Sequence, residues 1–477
     1  MAEPFKVIIV GGSVAGLSLA HCLHRANIEY IVLEKRTELA PQQGASIGFW
    51  PTGARVLDQL GVWEALTKGA EVIRQHNCLF PDGFAFTHYV LKTLYERFGY
   101  GLVAVPRQRL LECLYKTSPD KAKIHVNKAV VKIQQTDVGV SVTTEDGTVY
   151  NGSLVVGADG VHSRVRSEMW RLAEADSKCP GSRPTITASE KQTLTAEYSC
   201  VFGISSAIPG LRSREHALAY GDGFVALSFH DRENVYWFVI SRMDRVYTYP
   251  DVPRFTAEDA ELLMGKYADV SLAKGVYVKH LWEYRRAASM VAQEEGIFET
   301  WGSGRVILMG DAVRKMTVTM GQGANTTIED SAVLATLLDQ LVHKNTSKPH
   351  QAPTVGDIKA LIAEYREARY ARSQAIYNQT RLAVQSQTRQ GLVKRVMGRY
   401  IMPYMINQMA DGLSVLMADG PVVGFLPLPA GSADGWEKYR SRGASKRGGS
   451  NWVRWSVVSL SLVLGVSLLA KYQAALR

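Results

Sequence analysis

The segment Phe5 to Val10 (FKVIIV) is a nearly continuous apolar run, the pattern of a central parallel strand buried on both faces. The turn GGSVAG follows, then a helix-like SLAHCLHRA, then a second β-rich run from Tyr30 to Leu33 that ends in Glu34. A strand, glycine turn, helix, strand and acid in about thirty residues is the unit that lays a pyrophosphate on a helix N-terminus. Glu34 stands 18 residues after Gly16, where a carboxylate accepts hydrogen bonds from an adenosine ribose. The fingerprint positions are Gly11, Ser13 and Gly16, so serine replaces the middle glycine, with Gly12 beside it to supply backbone freedom. Alone, this turn could also exist without a ligand, and Glu34 could be a strand-end surface charge. The unit does not distinguish NAD from FAD.

Two further segments have the same character. Leu154 to Arg166 (LVVGADGVHSRVR) reads as a buried strand ending at Gly157, Asp159 and Gly160. Arg305 to Gly323 (RVILMGDAVRKMTVTMGQG) reads as a strand ending at Gly310 and Asp311, then a loop that enters a helix at Asn325. A single Asp-Gly is ordinarily a turn. Three strand-end motifs in one chain point to a shared crevice at the carboxyl ends of a parallel sheet.

The length of 477 residues corresponds, at about 150 residues per domain, to two or three domains with ample core. With 46% hydrophobic and 21% charged residues the composition is that of a globular protein. Five cysteines without a C-x-x-C pair argue for a reducing compartment and against a disulfide framework or a structural metal. The net charge of +10 is local: from Arg381 onward thirteen Lys/Arg face four Asp/Glu, or +9. A nucleic-acid partner would call for a basic stripe on the folded body, whereas this excess flanks the most apolar stretch, Trp452 to Ala470. Nineteen helical residues span ~28 Å, enough for a bilayer core. Arg440, Arg442, Lys446 and Arg447 precede it and only Lys471 and Arg477 follow. The expectation is a single-pass C-terminal anchor at 452–470 behind a linker at 441–451, in the endoplasmic reticulum with the body in the cytosol. A buried C-terminal helix is the alternative.

Together GGSVAG with Glu34, GADG at Gly157 to Gly160 and GDA…GQG at Gly310 to Gly323 resemble the FAD-dependent aromatic-hydroxylase-type monooxygenases. GASIGFWPTGARVLDQLG (Gly44 to Gly61), VPRQRLLECL (Val105 to Leu114) and, more loosely, GFLPLP (Gly424 to Pro429) are similar to the same family. The likeness is greatest to its fungal membrane-bound branch, the prenyl epoxidases of indole-diterpene (paspaline-pathway) and meroterpenoid biosynthesis.

The resemblance implies an α/β fold: a Rossmann-like FAD-binding domain, an inserted antiparallel substrate sheet, a C-terminal helical region and a transmembrane helix. It implies FAD bound by Gly11, Gly12, Gly16 and Glu34, by Gly48 in a first contact loop, and by Arg107 near the pyrophosphate. Asp311 would meet the ribityl or pyrophosphate portion, and Gly321, Gly323 and Ala324 the flavin end. Asp159 would order the arginine side and help couple FAD with NADPH, a diffusible reductant. Oxygen would be delivered through a flavin C4a-hydroperoxide to a lipophilic prenylated small molecule, with no metal. Independently, GQGAN before a helix would point backbone N–H groups at the flavin's anionic edge. Two departures stand out. Arg314 replaces a histidine and would add a cation near the phosphates, and Val318 replaces a shape-setting proline.

The expected boundaries are 1–185 for the first part of the FAD-binding domain, with a substrate-side insertion near 79–100, and 186–280 for the substrate sheet. The FAD-binding domain would return at 281–345, and a helical region would occupy 355–440. Polar residues from Asp176 to Gln192 read as a loop, and Thr195 to Ile240 as antiparallel strands under an apolar substrate. Tyr220 and Arg212 are the candidate polar catalytic residues, against the plainer reading of an ordinary sheet tyrosine and a solvated arginine. After Asp357 a long helix is expected, with Arg366, Arg369 and Arg372 as its solvated face. Met402 to Met417 is either core or an interfacial entry for substrate. The W-x-W-x-I-P pattern of flavin halogenases is absent. Three functions compete: an epoxidising or hydroxylating monooxygenase, a membrane-anchored flavin dehydrogenase or reductase, and a non-catalytic escort of a prenylated ligand.

Overall fold

The computed structural model describes residues 4–42, 46–176, 186–343 and 353–440. The 441–451 linker, the 452–470 span and Cys179 lie outside the described residues. Among the described residues no helix is long and apolar enough to cross a membrane.

The apolar run near the N-terminus becomes the strand Lys6–Val10, central in a six-stranded sheet. It pairs in parallel with Glu29–Leu33 on one side and Leu154–Gly157 on the other, and the latter pairs in parallel with Val306–Leu308. Val7, Ile8, Ile9, Val155, Val156 and Ile307 are fully buried, so covering both faces of these strands fixes the register. That register sets Val10 beside Leu33 and Gly157, and Gly157 beside Leu308. The three sequence motifs therefore leave the sheet at one edge. Helix α1 (Val14–Arg25) follows the first strand and α2 (Arg164–Asp176) follows the third motif strand's neighbour, Leu154–Gly157.

Helix α3 (Gln322–His343) starts three residues before the expected Asn325, so Gln322 to Asn325 of GQGAN form its first turn rather than the loop before it. Helix α4 (Val355–Gln387) is the long helix expected after Asp357, begun by a Thr354–Asp357 capping box. Helix α5 (Ile406–Ala418) follows a π turn at Met397–Ile401 and the 3-10 turn Met402–Tyr404 that contains Pro403.

The second layer is an eight-stranded sheet whose centre is Thr195–Ser206, Asn234–Thr248, Phe224–His230 and Glu215–Tyr220. Its outer strands correct the expected boundaries. Gln75–Leu79 and Ala85–His88 extend one side, the former in parallel with Glu215–Tyr220. Arg285–Ile297, placed by sequence in the returning FAD-binding segment, pairs along Thr195–Ser206 and belongs to this sheet. The polar stretch from Asp176 to Gln192 is not wholly loop either, since α2 reaches Asp176 and Ala188–Lys191 is a short helix capped by Thr187.

Arg369 is the largest correction to the sequence reading of α4. It is fully buried, with Nε 2.8 Å from Asp330 Oδ1 and Nη1 2.8 Å from Glu329 Oε2. Arg372 closes on Glu329 through two contacts of 2.8 Å and donates to the Leu416 carbonyl on α5. Arg366, paired with Glu299, is half-buried. The apolar periodicity of α4 was read correctly, but two adjacent acids on α3 turn two of its arginines inward.

Burial pushes the Glu329 carboxyl up, and Arg372 and Arg369 outweigh it, holding it down to about 2 from 4.5. A carboxylate depressed in the folded state stabilises fully above its unfolded value and loses that contribution as pH falls through the folded one. Unfolding midpoints are expected to drop as pH falls from about 4.5 toward about 2, and Glu329→Gln should flatten this part of the profile. Arg369→Met should cost about 3 to 5 kcal/mol in denaturant unfolding at neutral pH, because it takes one arginine partner from each of two fully buried acids.

Candidate functional site

The two sheets enclose one cavity of about 1290 Å³. Gly11, Glu34, Gly48, Arg107, Asp159, Asp311, Gly321, Gly323 and Ala324 line it, while Gly12 and Gly16 do not. Gly16 has a packing role: a Cβ there would lie 1.9 Å from the Gly11 carbonyl oxygen. Gly11 itself has φ +109°, and a side chain on it would meet the Ala158 carbonyl at 2.4 Å.

Glu34 is 7% exposed, which rules out a surface acid. Its Oε2 accepts from the Gly12 N–H at 2.7 Å and Oε1 from the Arg36 N–H at 2.9 Å, so the carboxylate is held at the strand end with lone pairs remaining. Ser13 explains its own departure from the glycine fingerprint. It is the N-cap residue of α1 but makes no side-chain cap; its Oγ instead accepts from Arg107 Nη2 at 2.7 Å. Arg107 Nη1 is buried without a partner. An orphaned guanidinium donor beside uncapped N–H groups at a helix N-terminus fits the pyrophosphate of a dinucleotide.

Asp159 turns its oxygens toward α2, accepting from Ser163 Oγ at 2.5 Å and from the Val165 N–H at 3.0 Å. Burial raises its pKa against these bonds. Arg166, in the same motif, reaches the Ala312 carbonyl at 2.9 Å and the Val161 carbonyl at 2.8 Å, tying GADG to GDA. The two segments are 146 residues apart at this bond, so spacing in the sequence carries no sign of the link.

Asp311 is paired with Lys315, and both line the cavity. Arg314 does not approach the phosphate end as expected. The strand Arg314–Lys315 pairs with Gly296 and Ile297, and alternation sends Lys315 to the cavity and Arg314 inward. There Nη1 lies 2.8 Å from Asp330 Oδ2 without a linear hydrogen bond, and the guanidinium stands 5.8 Å from the Trp301 ring.

The flavin loop is pinned by Asn325, a residue the sequence placed in the motif without a role. Fully buried, it accepts from the Trp50 N–H at 3.0 Å and donates to the carbonyls of Gly48 at 2.9 Å and Gly321 at 2.8 Å. Trp50 Nε1 adds a bond to the Met320 carbonyl at 2.8 Å. Gly321 has φ +60°, the left-handed turn that starts α3. Val318 opens a 3-10 turn after Thr317 at φ −61°, ψ 153°, an extended residue of the kind that precedes proline. Its N–H makes only a 3.3 Å bond to Gln293 Oε1, so the backbone keeps the shape that the missing proline would set.

The substrate wall is one face of the eight-stranded sheet, where Phe202, Leu218, Phe229 and Phe238 line the cavity. Tyr220 belongs to this wall. Its ring stacks on Phe80 with centroids 4.4 Å apart, and its hydroxyl lies 3.6 Å from Met402 Sδ. Burial raises the phenol well above 10. Arg212 is exposed and outside the cavity lining; among the described residues its carbonyl lies 3.2 Å from His230 Nδ1. It is corrected from catalytic candidate to surface residue. The methionine-rich stretch divides: Met402, Met405 and Met409 line the cavity, and Met417 is buried in the core with Phe98 and Trp436.

Asn325→Ala removes three hydrogen bonds that hold two cavity segments together, each bond worth about 1 kcal/mol. FAD affinity is expected to fall by about tenfold or more, measured by flavin fluorescence on dilution, with the fold retained by circular dichroism.

A model of the FAD binding domain family matches residues 4–380. The FAD-dependent monooxygenase andE of Emericella variicolor is 48% identical over 92% of this chain and 92% of its own length. The FAD-dependent monooxygenase nvfK of Aspergillus novofumigatus is 46% identical over 96% of both. Among solved structures, Klebsiella pneumoniae HpxO complexed with FAD and uric acid superposes with a TM-score of 0.67 at 21% identity, covering 87% of this chain and 97% of its own, which is a likeness of fold. At that identity and coverage by its fungal relatives, the chain belongs to the FAD binding domain family and is one of its FAD-dependent monooxygenases.

Proposed function

We propose that this enzyme uses NADPH and O₂ to epoxidise, or alternatively hydroxylate, a lipophilic prenylated scaffold in fungal secondary metabolism. The observation that carries the reading is the continuity of the cavity. One end is the dinucleotide cradle of Gly11, Glu34 and Arg107, and the other is an aromatic and methionine wall of Phe202, Phe229, Phe238, Met402 and Met405. A long apolar chain is desolvated there without stranding a charge.

Glu34 would hold the adenosine ribose, Arg107 and the first turn of α1 the pyrophosphate, and Asp311 with Lys315 the ribityl side. The first turn of α3 offers N–H groups to the anionic edge of the isoalloxazine. Bound FAD, once reduced by NADPH, supplies the activation of O₂ and the transfer of one oxygen atom. The residues of this chain orient the olefin and exclude water: Phe202, Phe238 and Phe229 from the sheet, Met402 and Met405 from the segment opposite. Anchoring by 452–470 in the endoplasmic reticulum membrane, supported by its apolar length and basic flank, would deliver such a substrate from the bilayer to a cytosolic active site.

Purified enzyme supplied with NADPH, ¹⁸O₂ and a panel of farnesylated phenols and indoles should yield a product with one ¹⁸O and matched NADPH consumption. Substrate-dependent NADPH consumption with no label in any product would make the enzyme a dehydrogenase or reductase toward such compounds. NADPH consumption that no prenylated compound stimulates would leave the escort reading.

A further inference from the structure

Three histidines form a row across three neighbouring strands of the substrate sheet. His76 stands opposite His88 in one pairing and opposite His216 in the other, and His216 stands opposite Phe229. Their rings touch in sequence, with centroids 4.4 Å apart for His76 and His88 and 4.2 Å for His76 and His216. His216 then stacks on Phe229 at 4.3 Å. Alternation puts all four on one face of the sheet, and all four line the substrate end of the cavity. Two residues along each strand, the next row is apolar: Phe86, Cys78, Leu218 and Leu227.

The polar atoms of this row are not satisfied by the protein. His76 Nε2, His88 Nδ1 and both ring nitrogens of His216 are buried without a partner, and His88 and His216 are each 6% exposed. Leaving a buried donor or acceptor unmade costs about 1 to 3 kcal/mol each. The buried histidines elsewhere among the described residues do not bear this cost. His21 bonds the Leu114 carbonyl at 2.8 Å, and His230 is held between Ser228 Oγ at 2.8 Å and the Arg212 carbonyl at 3.2 Å. Of the two histidines on Glu215–Tyr220 and Phe224–His230, only the one that faces the cavity has free nitrogens.

We propose that His88, His76 and His216 form a polar recognition subsite that receives an uncharged oxygen function, hydroxyl or carbonyl, carried by the otherwise apolar substrate. The inference rests on the substrate reading given above and adds to it the group by which the substrate is oriented. Burial lowers His216 to about 3 and His88 to about 4, and His76 well below 6.5, so all three rings are neutral near pH 7. Each neutral ring offers one N–H donor and one bare nitrogen. That balance matches a hydroxyl, which donates and accepts, or a carbonyl beside one; a carboxylate only accepts. Hydrogen bonds made at this row fix the orientation of a long, otherwise apolar chain in the cavity.

Donor atoms of His76, Cys78 and His88 also lie within 4.8 Å of one another, a spacing open to a metal ion. Burial pushes the Cys78 thiol up to about 12, which works against the thiolate a metal requires. A metal on that set would also leave both nitrogens of His216 unpartnered.

The test uses the FAD-loaded full-length enzyme and two probes of equal prenyl length, a farnesylated hydroxyacetophenone and farnesylbenzene, titrated by the change in flavin absorbance. Wild type should bind the oxygenated probe at least about tenfold more tightly, the equivalent of one or two hydrogen bonds. His216→Phe and His76→Leu should each erase most of that ratio by weakening the oxygenated probe alone, and His216→Asn, which keeps polar atoms, should restore part of it. Retained flavin and farnesylbenzene binding in the variants show that the fold is intact. Equal binding of both probes to wild type, or variants that weaken both alike, would overturn the subsite while leaving the prenyl reading in place. Failure of wild type to bind farnesylbenzene would overturn the prenyl reading and the subsite with it. Stoichiometric zinc retained by wild type and lost in His76→Leu would overturn the proposal in favour of a metal centre.

Discussion

Asp330 and Glu329, adjacent and fully buried on α3, are the point from which the cofactor side of the protein is organised. Asp330 Oδ2 accepts from the Gly310 N–H at 3.0 Å and meets Arg314, while Oδ1 takes Arg369 from α4. Glu329 takes Arg369 and Arg372. Removing charges from water costs several kcal/mol per ion, so such a cluster is tolerated only when nearly every charge has an opposite neighbour. The cost of breaking any one contact is what makes the arrangement specific. It forces the strand-end turn with Asp311, the first turns of α3 and the middle of α4 to take a single relative position.

The cofactor end was legible in the sequence because its constraints are local. Gly11 needs a positive φ, Gly16 needs close helix packing, and Glu34 sits at a fixed distance along one βαβ unit, so spacing alone carries the information. The parallel sheet was legible for the same reason, through uninterrupted runs at 6–10, 154–157 and 306–308. What spacing could not carry was partnership across the fold. Arg369 and Arg372 on a helix with a good amphipathic period look like its wet face until the acids of α3, some forty residues earlier, are brought against them. Arg285–Ile297 reads as a generic strand, and only its long pairing with Thr195–Ser206 assigns it to the substrate sheet.

The histidine row was invisible for a related reason. His76, His88 and His216 are spread over 140 residues and belong to no motif; a parallel pairing between Gln75–Leu79 and Glu215–Tyr220 brings them together. Tyr220 was selected instead because it lay in the stretch already read as substrate sheet. Its hydroxyl, packed against a thioether, is the less available group, whereas the imidazoles have nitrogens left over. In an apolar cavity the residue that orients a ligand is the one whose hydrogen bonds the protein has left unmade.

The two ends of the cavity communicate through a strand of two residues. Arg314 and Lys315 continue the substrate sheet by pairing with Ile297 and Gly296, so the sheet's last hydrogen bonds reach the turn that carries Asp311. Side-chain alternation then gives the two cations opposite tasks. Arg314 faces inward to Asp330 and fixes the turn to α3, and Lys315 faces the cavity beside Asp311. A histidine at 314 would be too short to span the same distance while keeping a permanent charge against Asp330, so the arginine is better read as part of the buried ion cluster than as an addition to the phosphate site. A residue expected from sequence to add a cation near the phosphates instead secures the flavin loop from behind.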